Sequence, residues 1–206
     1  MRTTPPSRGL GPHTPPRLPQ AILPVAVLLL CTVLGGCAGP TALEFPDRTA
    51  TPIDPATTGS VEGDVRLEGT APPREELGIG SVSGCATHAT PPLTEGLIVT
   101  GGKVANVVVH VKRGLEGRVF PVRREPVTID QKGCVFVPHV IAVETYEPVR
   151  FTNGDPLLFN VRATTEKNRA FNVALASPGA ERTAQFKSPE FVAIKCDVHA
   201  WMSAYV

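Results

Sequence analysis

The chain has 206 residues, which is enough for one modest domain with extensions. Its 20 basic and 19 acidic residues leave a formal charge of +1, and no cluster of Lys and Arg is interleaved with aromatic residues. This balance argues against a nucleic-acid partner. Twenty-two Pro and 19 Gly spread among valine-rich runs indicate short strands joined by turns rather than helices.

The N-terminal residues 1–37 predict an export signal. Residues 21–34 form an apolar run that is too short to span about 30 Å of hydrocarbon comfortably, as in the core of a signal peptide. The run leads into Leu34-Gly35-Gly36-Cys37, which resembles the lipobox of bacterial lipoproteins. This resemblance implies that Cys37 is acylated and that the exported protein is lipid-anchored to a membrane, in the periplasm or at the cell surface. The alternative is an ordinary cleaved signal followed by an incidental Cys.

Residues 38–60 are rich in Pro, Thr, Ala and Gly without periodicity, so we predict a flexible linker ahead of a domain at 61–206. Export places that domain in an oxidising compartment. Cys85 and Cys134 both lie beside turn residues, and we expect them to form a disulfide. Cys196 is then a free thiol, which is either buried and inert or chemically active.

Apolar alternation predicts strands at 60–68, 97–100 and 104–112, followed by shorter ones at 127–130 and 135–137. His110 falls on the polar face of the third strand, where we expect it to be exposed to solvent.

Residues 140–144 and 147–152 are predicted to form a hairpin that turns at Thr145-Tyr146. Antiparallel pairing in that hairpin places His139 opposite Thr152, at one pole of the domain.

Five further strands are predicted after a turn at Asn153-Gly154-Asp155-Pro156, at 157–163, 170–175, 181–187, 190–196 and 203–206. Alternation points Phe159 toward the core and delivers Cys196 to the inner face at the end of its strand. Eight or more short strands at this spacing predict an all-β Greek-key sandwich.

The connection between the last two predicted strands reads Cys196-Asp197-Val198-His199-Ala200-Trp201-Met202. A tight loop with this C-x-x-H-x-x-M spacing can turn a thiolate, an imidazole and a thioether toward one point, and this set of ligands suits copper. The alternative is that Cys196, His199 and Met202 are ordinary core and polar residues without a metal.

The turn at 153–156, the pair Asn160-Val161 and the loop at 196–202 together resemble the cupredoxin family, in particular its plastocyanin-like and amicyanin-like blue-copper members. The segment 130–140 also resembles exported members of that group. The resemblance covers roughly residues 60–206. It implies a cupredoxin-like fold with one copper ion in a type 1-like site, in which Cys196 and His199 are equatorial ligands and Met202 is axial. It also implies transfer of single electrons to a redox partner protein.

One position departs from the family pattern. The first histidine ligand of the family corresponds to Phe159 in this sequence, and a phenyl ring cannot coordinate a metal. His139 is the candidate substitute, and His88 is a weaker one. The chain is then either an electron-carrying cupredoxin or a degenerate module that holds Cu(I), or has lost its metal and only binds a partner. We expect no enzyme: no Ser-His-Asp or H-E-x-x-H pattern is present, and the four histidines beyond the signal are too few for a multicopper oxidase.

Overall fold

The computed structural model describes residues 42–85, 88 and 90–206, and the regular structure of this part is almost entirely β. The signal segment and Cys37 lie outside the described residues. No helix in the described part is long and apolar enough to cross a membrane. In chain order the elements are η1 (Pro55–Thr57), η2 (Ile79–Ser81), β1 (Val99–Thr100), β2 (Lys103–Val104), β3 (Val127–Lys132), β4 (Val135–Val137), β5 (Pro148–Asn153), β6 (Phe159–Thr164), β7 (Phe171–Leu175), β8 (Glu181–Gln185), β9 (Ala193–Lys195) and β10 (Ser203–Tyr205).

Two four-stranded sheets form the body, in the orders β4-β3-β5-β8 and β10-β9-β6-β7, while β1 and β2 pair separately. Strands β3 and β5 are parallel, and the other neighbouring pairs are antiparallel. Both sheets contribute to a single apolar core, so they pack face to face. The all-β sandwich predicted from the sequence is confirmed. Its central residues are Ile129, Phe136, Val149, Phe151, Phe159, Val161, Leu175, Ile194 and Ala204.

Strand β6 follows the predicted alternation except at Asn160, which is also buried. Phe159, Val161 and Ala163 are buried, whereas Arg162 and Thr164 are exposed. Successive side chains of a strand point to opposite faces, so this pattern fixes which face of β6 meets the opposite sheet. The predicted inward orientation of Phe159 is therefore confirmed.

Two predicted strands near the start of the domain are wrong. Residues 60–68 make only an isolated bridge, between Arg66 and Lys103. Of residues 104–112 only Val104 lies in a strand, and Val109 is exposed. Alternation identifies a face that suits burial, but a strand also needs a partner in register, and none aligns with these residues in the described part. His110 is exposed, as predicted.

The predicted hairpin at 140–152 is also wrong. A turn does form there, closed by Glu147 N–H donating to Glu144 O at 3.1 Å. Its arms do not pair, because both edges of β5 are occupied, by β3 on one side and β8 on the other. His139 therefore lies beside β10 instead of opposite Thr152, and its carbonyl accepts a hydrogen bond from Tyr205 N–H at 2.8 Å.

The expected disulfide between Cys85 and Cys134 is present, and both residues are fully buried. It connects the segment that contains η2 to the turn between β3 and β4. Cys196 is free and buried, as the sequence analysis expected.

Candidate metal centre

The loop 196–202 connects β9 to β10 and brings three candidate ligands to one pole of the sandwich. Cys196 directly follows β9 and Met202 directly precedes β10. Met202 N–H donates to His199 O at 2.9 Å, and Cys196 N–H donates to Met202 O at 3.4 Å, so the loop closes on itself. Cys196, His199 and Met202 are only 3%, 4% and 1% exposed. All three candidate side chains are therefore shielded from solvent.

Two donor atoms of this loop lie at a separation that suits a single transition metal. The Cys196 Sγ lies 3.9 Å from His199 Nδ1. A metal bound about 2.3 Å from a sulfur and about 2.0 Å from an imidazole nitrogen holds these two atoms roughly 3.5 to 3.9 Å apart. One thiolate, one imidazole and one thioether form a soft donor set, which favours copper over hard cations.

Burial controls the protonation of His199. Its ring lies between Phe159 and Trp201, with centroid distances of 5.0 and 5.2 Å. The loss of solvation in this setting lowers the pKa of His199 below its usual value. At neutral pH the imidazole is therefore uncharged, the state in which a ring nitrogen can bind a metal.

Phe159 occupies the place beside His199 where the family resemblance puts a histidine. It is 0% exposed, it begins β6, and its ring meets the imidazole edge to face. The aromatic ring closes this side of the site without offering a donor atom.

The structure does not bring His139 into the loop cluster. His139 Nδ1 lies 2.8 Å from Ser203 O and 3.4 Å from the Glu95 carboxylate. Within the described residues no group of three His, Cys, Asp or Glu side chains could hold a metal ion. His139 therefore does not complete a ligand set with Cys196 and His199. His88 is hydrogen-bonded to Gly133 O at the turn between β3 and β4.

A polar cluster that the sequence analysis missed fixes the start of the loop. Asn160 Oδ1 accepts from Asp197 N–H, and Asn160 Nδ2 donates to both Asn172 Oδ1 and, at 3.3 Å, Asp197 Oδ2. Asn172 Nδ2 also donates to Asp197 Oδ2, at 2.7 Å, and Arg162 Nε pairs with Asp197 Oδ1 at 2.8 Å. The loop residue after Cys196 is thereby bound to β6 and β7. An Asn directly after Phe159 and an Asp directly after Cys196 were the available signals.

Trp201 was also missed. Its indole Nε1 donates to Cys134 O at 2.9 Å, across the pole to the turn between β3 and β4. It is the only Trp in the chain, and it stands inside the ligand loop, which was the available signal.

No protein-family model matches the chain, and no curated protein matches it. Among solved structures, it is similar to a Cu-containing nitrite reductase from Thermus scotoductus SA-01, with 20% identity and a TM-score of 0.37 over 47% of this chain. The alignment spans 24% of that enzyme, about a quarter of its length.

Two smaller proteins are also similar to the chain. A reduced tryptophan-to-tyrosine mutant of amicyanin shares 15% identity, with a TM-score of 0.37 over 41% of this chain and 83% of its own. A purple cupredoxin from Nitrosopumilus maritimus shares 17% identity, with a TM-score of 0.34 over 38% of this chain and 95% of its own. The structural neighbours of the chain are thus cupredoxins.

Proposed function

We propose that this protein binds one copper ion through Cys196, His199 and Met202. The observation that carries the proposal is the Cys196 Sγ to His199 Nδ1 distance of 3.9 Å in a buried loop that also contains Met202. The free thiol lies in a dry pocket beside a neutral imidazole. Copper held there supplies one-electron chemistry.

Phe159 favours a protein that holds Cu(I). With a phenyl ring in place of a second imidazole, the site offers two sulfurs and one nitrogen, a soft set that suits Cu(I). The ring is fully buried against His199, so it shields this side of the imidazole from water.

Electron transfer to a redox partner protein is the second candidate function. A carrier needs ligands that move little between oxidation states. The loop meets this need because both of its halves are hydrogen-bonded to neighbouring elements, through Asp197 to Asn160 and through Trp201 to Cys134.

Copper titration of the full chain tests both candidates. We expect one copper per chain in the wild type, and no tight binding in Cys196→Ala. Colourless Cu(I) retained in air supports the holding function, whereas an intense visible thiolate band that bleaches on reduction supports the electron carrier. Equal binding by the wild type and Cys196→Ala would contradict the copper proposal.

We further propose that the protein is exported and held at a membrane by a lipid on Cys37. The apolar run and Gly35-Gly36-Cys37 support this, and so does the Cys85–Cys134 disulfide, because disulfides persist in oxidising compartments. Mass spectrometry of the mature N-terminus tests the anchor. An unmodified mature chain that begins at another residue would rule it out.

A further inference from the structure

Trp201 connects the proposed metal ligand His199 to a part of the fold that is distant in sequence and held by a disulfide. Its ring centroid lies 5.2 Å from that of His199, and its Nε1 donates to Cys134 O at 2.9 Å, 67 residues away in sequence. We propose that Trp201 is a positioning residue that orients His199 for the metal, with the Cys85–Cys134 disulfide as its anchor. This inference rests on the proposed function of the loop.

The acceptor of the Trp201 hydrogen bond belongs to a residue that is fixed in several ways. Cys134 is 0% exposed and covalently bound to Cys85. Its N–H donates to Asp155 Oδ2 at 2.9 Å, and Asp155 N–H in turn donates to Asn153 Oδ1 at 2.9 Å. The carbonyl that holds the indole is therefore restrained by a covalent bond and by the turn at the end of β5.

Cys134 is hydrogen-bonded to Trp201 and to the turn that precedes Phe159, the two rings that flank His199. Phe159 follows the turn that Cys134 holds through Asp155, and Trp201 is bound to the Cys134 carbonyl. The imidazole thus lies between two aromatic rings. Groups that orient a ligand commonly contribute 10- to 100-fold to metal affinity, roughly, although they touch no metal.

Two Trp201 variants separate the ring from its hydrogen bond. Trp201→Phe keeps an aromatic ring against His199 but loses the donor, and Trp201→Leu loses both. The pair Cys85→Ala and Cys134→Ala keeps the Cys134 carbonyl but removes its covalent support. Phe191→Leu is the matched control, because Phe191 is 81% exposed and lies outside the loop.

Competition with a chromogenic Cu(I) chelator, without oxygen and on the full chain, measures the metal affinity. We expect Trp201→Leu to bind Cu(I) about 10- to 100-fold more weakly than wild type, with Trp201→Phe in between. The disulfide-free protein should resemble Trp201→Phe, and Phe191→Leu should match wild type. An intermediate affinity in Trp201→Phe separates the contribution of the aromatic ring from that of the indole hydrogen bond.

Alkylation of Cys196 in the metal-free protein gives a readout that does not involve copper. A loosened loop opens more often, so we expect about tenfold faster alkylation in Trp201→Leu and in the disulfide-free protein. The inference would be overturned if Trp201→Leu and the disulfide-free protein both had a Cu(I) affinity and a Cys196 alkylation rate within twofold of wild type. If Cys196→Ala loses copper while the Trp201 and disulfide variants bind it like wild type, the proposed function stands and the positioning role of Trp201 fails. If Cys196→Ala binds copper like wild type, the proposed function fails, and the alkylation rates still decide whether Trp201 restrains the loop.

Discussion

Phe159 has two roles at the proposed copper site. As a core residue it is fully buried at the start of β6, where it contributes apolar area to the packing between the sheets. As a neighbour of His199 it packs edge to face against the imidazole, on one side of the proposed site. If copper binds as proposed, the same side chain contributes both to stability and to the choice of metal, and a substitution should change both.

Replacing Phe159 by histidine should add a fourth ligand at this position. We expect Phe159→His to develop an intense visible band with Cu(II), because a second imidazole completes the set typical of blue-copper sites. The polar ring in the core should lower the free energy of unfolding of the metal-free protein by about 2–4 kcal/mol, measured with urea. Phe151→His, a buried phenylalanine in the opposite sheet, should show a similar stability loss without the band. A spectrum unchanged from wild type, with copper bound, would mean that residue 159 does not face the metal.

At the scale of elements, the loop 196–202 is held by hydrogen bonds to residues on strands that are distant in sequence. Asp197 begins the turn after β9, and its backbone and carboxylate are hydrogen-bonded to Asn160 on β6 and Asn172 on β7. The register of β6 with β9, in which Arg162 pairs with Lys195, brings these residues together. The sheet thereby orients Cys196, the residue before Asp197.

Asn160→Ala should weaken both folding and copper binding. It removes three hydrogen bonds, including the one from the part-buried Asp197 N–H, so the free energy of unfolding should fall by about 1–3 kcal/mol. Copper affinity should also fall, because the start of the loop becomes mobile. Asn168→Ala is the control: Asn168 is hydrogen-bonded to Glu190 and Ser188 outside the loop, so its loss should reduce stability but not copper affinity. Unchanged copper affinity in Asn160→Ala would show that this cluster does not position the loop.

The sequence predicted the elements around the site better than those at the start of the domain. Strands β6, β9 and β10 have one face in the core, so alternation located them and oriented Phe159 and Cys196 correctly. Alternation cannot reveal which strand a given strand pairs with. The predicted hairpin, which would have placed His139 opposite Thr152, was wrong because β5 pairs in parallel with β3. The Trp201 contact was likewise not predictable from spacing, because it joins residues 67 positions apart.

At the scale of the whole molecule, the disulfide holds a long irregular segment against the sandwich. The part of this segment just before Cys85 contains η2, whose Ile79 is buried in the core. Gly84 has a φ of +92°, a backbone conformation that residues with a side chain rarely adopt, and it lies against the side chain of Leu157, just before β6. The covalent bond fixes this close contact at the same pole as the proposed metal site.

Removing the disulfide should therefore destabilise the whole domain. The bond closes a loop with a sequence separation of 49 residues, and the chain-entropy model gives about 4 kcal/mol for a loop of this length. We expect the Cys85→Ala and Cys134→Ala double variant, without metal, to unfold in urea at a lower midpoint, with a free energy of unfolding reduced by about that amount. Wild-type protein unfolded with a dithiol reductant should behave like the double variant, while the reductant should not alter the double variant itself. An unchanged urea midpoint in both would show that the segment before Cys85 packs independently of the bond, and that the anchor of the Trp201 contact lies in the turn at 153–155 alone.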